Sequence, residues 1–196
     1  MYKLGITGGI GSGKSTVCNY LNNKGASVFD SDKKSKELLL NNVSLQKKII
    51  NTFGNHVTNN NELELSKLAS YVFQKQPLQK KLNSIIWPKV FELIKISANK
   101  EKKNHTKLFI VEAALLIEAN FNHYFDSILL ITASEPIRIK RVLKSKNIPE
   151  KQIQQRITLQ MPDKEKKLYA QNIIENNGSI ENLYQKINIF YEGLNF

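Results

Sequence analysis

Short apolar runs alternate with segments of helical periodicity along the chain. The apolar runs lie in YKLGIT (2–7), KLFIVE (107–112) and DSILLIT (126–132). Runs of this length are typical of strands that are buried on both faces of a parallel sheet. STVCNYLNNKG (15–25) instead has apolar residues at helical spacing and ends in Gly25, a residue that often terminates a helix. Because strands and helices alternate, the pattern predicts an α/β domain with a parallel sheet.

The middle of the chain has a different pattern. Residues 33–104 carry helical patterns and contain no convincing pair of strands, which predicts a helical region within the α/β chain. The stretch 76–105 has the spacing of long helices, and we expect Pro88 to interrupt them. Farther on, AALLIEANFNHYF (113–125) is long enough to carry the chain from one parallel strand to the next.

Length and charge narrow the class of protein. The chain has 196 residues, enough for one sizeable core but too few for two large independent domains. Its net charge of +12 suits either nucleic acid or a small polyphosphate ligand. The lysines are spread over many segments and are not interleaved with aromatic residues, as they would be in a single-strand binding platform. Nucleic acid is therefore the less favoured ligand.

Further features of the sequence limit where the protein is expected in the cell and which metal chemistry it can perform. No apolar run approaches the roughly 18 residues that cross a bilayer, and the start lacks the order of a signal peptide, so we expect a cytoplasmic protein with no membrane role. The single cysteine, Cys18, is predicted to be a packing residue. His56, His105 and His123 lie far apart, show no metal-ligand spacing and are expected at the surface.

The segment TGGIGSGKST (7–16) carries the strongest chemical signal. Gly8-x-x-x-x-Gly13-Lys14-Ser15 stands between a predicted strand and a predicted helix, which is the context of a phosphate-binding P-loop. Glycines let the backbone N–H groups turn toward phosphate oxygens, Lys14 reaches the β and γ phosphates, and Ser15 offers a hydroxyl to Mg²⁺. The predicted ATP-binding residues of this segment are Gly9, Gly11, Ser12, Gly13, Lys14, Ser15 and Thr16.

The remaining sequence favours one class of P-loop protein. Guanine-specific switch proteins carry a D-x-x-G segment and an N-K-x-D base-reading loop, and neither pattern occurs in this chain. Motor ATPases are usually longer. A small phosphotransferase is therefore the leading class.

A pair of aspartates follows the second predicted strand, in SVFDSD (27–32). In a doubly wound parallel sheet the carboxyl ends of the strands face the ligand crevice, which would bring Asp30 and Asp32 near the phosphates. A carboxylate there could accept the proton of an attacking hydroxyl. Alternatively, either aspartate caps the next helix, because Asp is a favoured N-cap residue. For Asp32 the role of base is preferred, whereas for Asp30 the two roles are equally supported.

These motifs resemble the dephospho-CoA kinase family. TGGIGSGKSTV followed by VFDSD is similar to the glycine loop and the D-A-D segment of that family. The resemblance continues through FG (53–54), LASYVF (68–73), LNSIIWPKV (82–90), LFIVEAALLIE (108–118), RIKRVLKSKNIPEKQIQQRITLQMP (138–162) and IIENNGS (173–179). It implies a P-loop core in residues 1–32 and 105–196, a lid at about 144–165, and a helical CoA-binding insertion in residues 33–104. The implied fold is a three-layer α/β/α P-loop NTPase with a parallel sheet.

Two glutamates follow the strand LFIV. Glu112 ends this strand, so a parallel sheet would place it beside the P-loop, where an acid can hold Mg²⁺ through water. The family has an acid at this point, which supports the metal role over a partly exposed glutamate at a strand end. Glu118 also matches a family glutamate, although it could equally be a solvated helix residue.

The resemblance also implies roles for residues late in the chain. Arg141 matches the arginine at the family's lid boundary, where a cation stabilises the phosphoryl group in transfer and contacts ATP. Asn176 and Asn177 correspond to the segment that meets adenine. The implied acceptor-binding residues are Asp32, Lys36, Leu115 and Arg156.

Some positions depart from the family pattern, mainly at the acceptor site and the lid. They are Lys36, Leu65, Trp87, Ala114, Ser145 and Gln171. The resemblance implies phosphorylation of the ribose 3′-hydroxyl of dephospho-CoA by Mg-ATP, with Asp32, Lys14 and Arg141 as catalytic residues; this is the last step of coenzyme A biosynthesis. Another small-molecule kinase, or a P-loop regulatory protein that binds nucleic acid, stays as an alternative. The sequence leaves the oligomeric state open.

Overall fold

The chain forms two compact units in a computed structural model that describes residues 1–145 and 148–195. One unit contains Met1–Asp30 and the chain from Lys95 onward, and the other is Ser31–Ile94. Residues 146 and 147 of the expected lid lie outside the described residues. The substrate-binding role of the middle of the chain stays a prediction.

The first unit is built on a five-stranded parallel sheet within the described residues. Its strands are β1 (Tyr2–Thr7) and β2 (Ser27–Asp30), then β5 (Leu108–Glu112), β6 (Ser127–Thr132) and β7 (Asn172–Glu175), whereas β3 (Thr58–Asn59) and β4 (Glu62–Leu63) form a separate pair. The order across the sheet is β2-β5-β1-β6-β7, so β1 lies at the centre. The three strands expected from apolar runs, β1, β5 and β6, are confirmed.

Helices connect the strands and fill the second unit. In the described part of the chain they are α1 (Lys14–Asn23), α2 (Ser31–Asn41), α3 (Val43–Phe53), α4 (Leu65–Val72), α5 (Gln76–Lys103), α6 (Glu135–Ser145), α7 (Glu150–Leu159), α8 (Asp163–Lys166) and α9 (Ile180–Glu192). Gly25 follows α1 with φ of +94°, a conformation that favours glycine and explains why the helix ends there. No helix among the described residues is both long and apolar enough to span a membrane.

Alternate residues of the central strands face opposite sides of the sheet, and both sides are buried. On one side a core cluster joins strand residues to α1 and α9: Leu4, Ile6, Ile110, Ile131, Val17, Leu21, Leu183 and Ile187. Cys18 belongs to this cluster, so its predicted packing role is confirmed. On the other side Ile128 packs with Leu116 and Ile117 from the segment after β5. The sheet is therefore covered on both faces, as the three-layer prediction requires.

Two expectations for the middle of the chain are wrong. A strand pair does occur there: β3 and β4 are antiparallel and joined by Asn60 and Asn61, which have φ of 48° and 65°. Asparagine tolerates these positive values, which tight hairpin turns require. Likewise, Pro88 does not interrupt the helix, because α5 runs continuously through it. An internal proline costs roughly 3 kcal/mol, and the burial of residues on both sides of it, including Ile86 and Val90, opposes this cost.

The buried strand core makes a prediction about stability. Ile110 is fully buried, so Ile110→Ala should lower the free energy of unfolding by about 2 to 5 kcal/mol, because it removes buried methyl groups and leaves a cavity. The matched control is Ile173→Ala on β7, where the side chain is 45% exposed and the loss should stay below about 1 kcal/mol. Urea denaturation measures both, and equal losses would contradict this description of the core.

Candidate active site

The P-loop follows the central strand and ends at the first residue of α1. Gly13 has φ of 102° and occupies the N-cap position of α1, so the N–H groups of the first helical turn point toward the loop. Gly11 has φ of 76°, and a Cβ atom there would lie 2.5 Å from the Arg138 carbonyl oxygen. Only glycine satisfies both constraints at position 11. The loop therefore has the close-packed, inward-facing backbone of a phosphate site.

Lys14 is held inside this loop. Its side chain is buried, and its Nζ donates a hydrogen bond of 3.2 Å to the Gly9 carbonyl oxygen. An ammonium group with little access to water favours an anionic partner. The loop thus presents a positive charge together with backbone N–H groups, which is the combination that a polyphosphate requires.

The carboxyl end of β5 carries the acid of the site. Ser15 Oγ donates a hydrogen bond of 2.7 Å to Glu112 Oε1. Burial raises the pKa of Glu112 above its ordinary value, and the nearby Asp30 carboxylate raises it further, whereas the Ser15 hydroxyl and the Lys14 ammonium act in the opposite direction. Burial, with Glu112 as the next cause, also raises the pKa of the Cys18 thiol well above its ordinary value. The site therefore contains a buried carboxylate that a cation would stabilise.

The two aspartates after β2 take different positions. Asp30 ends β2, and its Cα is paired with that of Glu112 across the parallel ladder, so two carboxyl-bearing residues lie side by side at this edge. Asp32 belongs to the other compact unit, where it is exposed in the first turn of α2. Because α2 begins at Ser31, Asp32 lies inside the helix, and the alternative that it is an N-cap residue is wrong. Its role as base stays a prediction.

Asn176 links Arg141 to the P-loop. The Asn176 side chain is buried, and its Nδ2 donates to the Ser12 carbonyl oxygen at 2.8 Å. Arg141 donates to the Asn176 carbonyl oxygen at 3.0 Å and to its Oδ1 at 3.3 Å. Both ends of the amide thus make a hydrogen bond within the protein. Contact of Asn176 with adenine stays a prediction. Asn177 Oδ1 accepts from the Ser134 backbone N–H at 2.8 Å.

Sequence reasoning missed a fully buried lysine. Lys166 Nζ donates to the Ala114 carbonyl oxygen at 2.7 Å and forms an ion pair of 3.0 Å with Glu118 Oε1. The same Glu118 oxygen accepts from the Met161 backbone N–H at 2.9 Å. Glu118 is therefore not a solvated helix residue. No sequence signal separates Lys166 from its neighbours in DKEKK, because α8 has only four residues and shows no usable periodicity.

Arg138 and Gln160 are two further side chains that contact the P-loop. Arg138 is buried, and its Nε donates to the Ile10 carbonyl oxygen at 3.0 Å. Gln160 Oε1 accepts from the Ile10 backbone N–H at 3.0 Å. The sequence places Arg138 on one face of a helix with Arg141, which was a usable signal for the arginine. Gln160 lies just after α7, and its contact depends on a segment 150 positions away in the chain.

The other residues of interest are three predicted acceptor-binding residues and two positions that depart from the family pattern. Leu115 and Arg156 are half-buried, in the segment after β5 and in α7 respectively, and Lys36 is exposed on α2. Gln171 Oε1 accepts from the Ile128 backbone N–H at 2.8 Å, and Ser145 Oγ donates to the Arg141 carbonyl oxygen at 2.8 Å. Both of these departures from the family pattern are thus accommodated in local hydrogen bonds. Acceptor binding by Leu115, Arg156 and Lys36 stays a prediction.

The chain is similar to known dephospho-CoA kinases over nearly its whole length. The family model "Dephospho-CoA kinase" matches residues 2–182. A dephospho-CoA kinase of Fusobacterium nucleatum is 36% identical over 190 residues, which are 96% of each chain.

Solved structures share the fold of this chain. A crystal structure from Thermus thermophilus aligns with a TM-score of 0.81 at 28% identity and covers 100% of this chain and 98% of the other. A dephospho-CoA kinase from Campylobacter jejuni aligns with a TM-score of 0.66 over 97% and 95% of the two chains, and at 23% identity this likeness supports the fold alone. The P-loop kinase fold predicted from the sequence is confirmed. From its P-loop to its late strand, the chain belongs to the dephospho-CoA kinase family.

Proposed function

We propose that this protein transfers the γ-phosphoryl group of ATP to the ribose 3′-hydroxyl of dephospho-CoA, giving coenzyme A and ADP. One observation carries the proposal: the buried Lys14 and the Ser15–Glu112 hydrogen bond lie together where the P-loop meets the carboxyl end of β5. The family relationship adds the identity of the acceptor. We propose that the reaction takes place in the cytoplasm, as expected from the sequence.

The oxygen donors of the site fit Mg²⁺. The described residues contain no group of three or more His, Cys, Asp or Glu side chains that could hold a metal ion by themselves. A nucleotide-bound Mg²⁺ needs fewer protein ligands, because phosphates and water complete its coordination. Ser15 would hold it through its hydroxyl and Glu112 through water. When bound, it neutralises charge on the β and γ phosphates.

The protein's own groups position the nucleotide and stabilise the charge. The P-loop N–H groups and Lys14 bind the phosphates, and the Lys14 side chain would lie beside the group in transfer. Arg141, fixed through Asn176, supplies a second cation next to the loop. Because phosphoryl transfer depends on positioning and on stabilising equatorial charge, these groups account for most of the proposed catalysis.

The acceptor hydroxyl needs a base, and we assign this role to Asp32. It lies two residues beyond Asp30, which is paired with Glu112 at the carboxyl edge of the sheet. Asp32 is exposed in the first turn of α2, and a carboxylate can accept the proton of a hydroxyl group. Lys36, Leu115 and Arg156 are proposed to bind the acceptor. Lys36 keeps a positive charge but lacks the planar fork of an arginine, which favours single over bidentate phosphate contacts.

The substrate assignment is tested by an ADP-release assay with Mg-ATP, in the presence and absence of dephospho-CoA. We expect acceptor-dependent ADP release and a product that mass spectrometry identifies as dephospho-CoA with one added phosphate, because the chain combines the P-loop with the family's acceptor segments. ADP release with another hydroxyl compound, and none with dephospho-CoA, would instead identify a different small-molecule kinase.

Asp32→Asn tests the base. Turnover should fall by about 10² to 10⁴-fold while ATP binding is retained, because the amide cannot accept the acceptor proton. Glu37→Gln is a matched control on the same helix, since Glu37 forms an ion pair with Lys34 at a partly exposed position. Single-turnover kinetics and ATP titration measure the two quantities. If Asp30→Asn abolishes turnover and Asp32→Asn does not, the base is Asp30.

Glu112→Gln tests the buried carboxylate in the ligand-free protein. Because burial raises the pKa of Glu112, the folded state binds this proton more tightly than the unfolded state does. The free energy of unfolding should therefore fall as pH rises from about 4.3, the ordinary value for Glu, through the higher pKa of the folded state. Urea denaturation across this range should give a flatter pH dependence for Glu112→Gln. If the free energy of unfolding has the same pH dependence in the wild type and in Glu112→Gln, the raised pKa of Glu112 is not the cause of that dependence.

A further inference from the structure

Ile10, near the middle of the P-loop, is held from outside the loop at three points. Its backbone N–H donates to Gln160 Oε1, and its carbonyl oxygen accepts from Arg138 Nε, both at 3.0 Å. Its side chain is buried in a cluster with Val142 of α6 and Ile153 of α7. Both polar groups of one P-loop residue are therefore satisfied by side chains that lie at least 128 positions away in the chain.

These contacts matter because the loop has little stiffness of its own. Glycine has the largest conformational freedom of any residue, and the loop places glycines on both sides of Ile10. A loop of this composition samples many backbone arrangements unless other groups restrict it. The hydrogen bonds to Ile10 therefore help to fix the directions in which the neighbouring N–H groups point.

Arg138 fills the space beside the loop as well as bonding to it. Its guanidinium lies against Gly9, where an added Cβ atom would be 2.5 Å from Arg138 Cζ. Its Nη1 is 3.6 Å from Asp163 Oδ2, and the arginine side chain is only 9% exposed. A buried guanidinium is costly unless it is paired, and Asp163 and the Ile10 carbonyl oxygen supply partners. Arg138 is thus held in one position between the P-loop and α8.

The contacts converge on one short part of the chain. Gln160 directly follows α7, and Asp163 is the first residue of α8, so both belong to the junction between these helices. A cavity of about 510 Å³ is bounded by Gly9, Arg138, Gln160 and Asp163. A shortened arginine would leave the Ile10 carbonyl oxygen without its guanidinium donor, next to this cavity.

We propose that Arg138 and Gln160 are positioning residues that fix the Ile10 peptide groups and thereby couple the geometry of the P-loop to the α7–α8 junction. The coupling runs through named contacts: Gln160 to the Ile10 N–H, and Asp163 through Arg138 to the Ile10 carbonyl oxygen. When the α7–α8 junction holds Gln160 and Asp163 in these positions, the P-loop is held in the conformation that binds phosphates. The inference rests on the proposed kinase function only for the identity of the nucleotide.

Arg138→Gln tests the inference through ADP binding and backbone dynamics. We expect the Kd for ADP and the KM for ATP to rise about tenfold, equivalent to about 1.4 kcal/mol, while the KM for dephospho-CoA changes little. Amide hydrogen exchange of residues 8–13 in the ligand-free protein should accelerate. Lys140→Gln, which removes a charge from the exposed side of the same helix, is the matched control and should leave both quantities unchanged.

A double-variant cycle tests the path of the coupling. Because Asp163 acts through Arg138, the single substitution Asp163→Asn should weaken ADP binding. In a protein that already carries Arg138→Gln, the same substitution should weaken ADP binding little further. Full additivity of the two substitutions would overturn the proposed path. If Arg138→Gln does not fold, Gln160→Ala decides the question from the other side of Ile10: faster exchange and weaker ADP binding support the proposal, and wild-type values overturn it.

ADP titration and amide exchange need no acceptor, so these results do not depend on whether dephospho-CoA is the substrate. Wild-type ADP affinity and exchange in Arg138→Gln would overturn the positioning role even if the assay with dephospho-CoA succeeds. Conversely, a loosened loop in the variant would support it even if another acceptor is phosphorylated.

Discussion

The phosphate site depends on fixing a loop that has almost no rigidity of its own. Glycines allow the backbone N–H groups to converge, but the same freedom would let them diverge. Hydrogen bonds from Asn176 to the Ser12 carbonyl oxygen and from Arg138 to the Ile10 carbonyl oxygen restrict the loop on two sides. The parallel sheet makes this possible because β1, β6 and β7 bring the loop and the late asparagine to the same edge. The geometry of the phosphate site is therefore a property of the whole first unit.

Buried charge is the second organising constraint. Lys14 and Glu112 are buried at the loop, and Arg138 and Lys166 are buried beside it. Each makes at least one hydrogen bond or ion pair, which reduces the cost of removing a charge from water. Burial nevertheless raises the pKa of Glu112, and a cation bound nearby would oppose this shift.

Errors in prediction came from features that short-range patterns do not report. The Asn60–Asn61 turn is a local signal, but two-residue strands are too short to show alternation. Pro88 ordinarily ends a helix, and only the packing of its neighbours on both sides maintains α5. Lys166 lies in a charged run that is typical of a solvated face, yet its ammonium is enclosed by Ala114 and Glu118. The buried position of Lys166 was decided by contacts with residues distant in sequence.

The sequence alone determined the class of fold, the P-loop and the family. Glycine spacing, runs of buried-strand residues and the order of the motifs can all be identified before the folded structure is known. It also placed Glu112 correctly, since a residue that ends a parallel strand must lie at the carboxyl edge of the sheet. Only the tertiary structure decided which side chains hold the loop. The contacts of Arg138, Gln160 and Asn176 depend on where separate elements meet, and burial, which sets both charge pairing and pKa, exists only after the chain has folded.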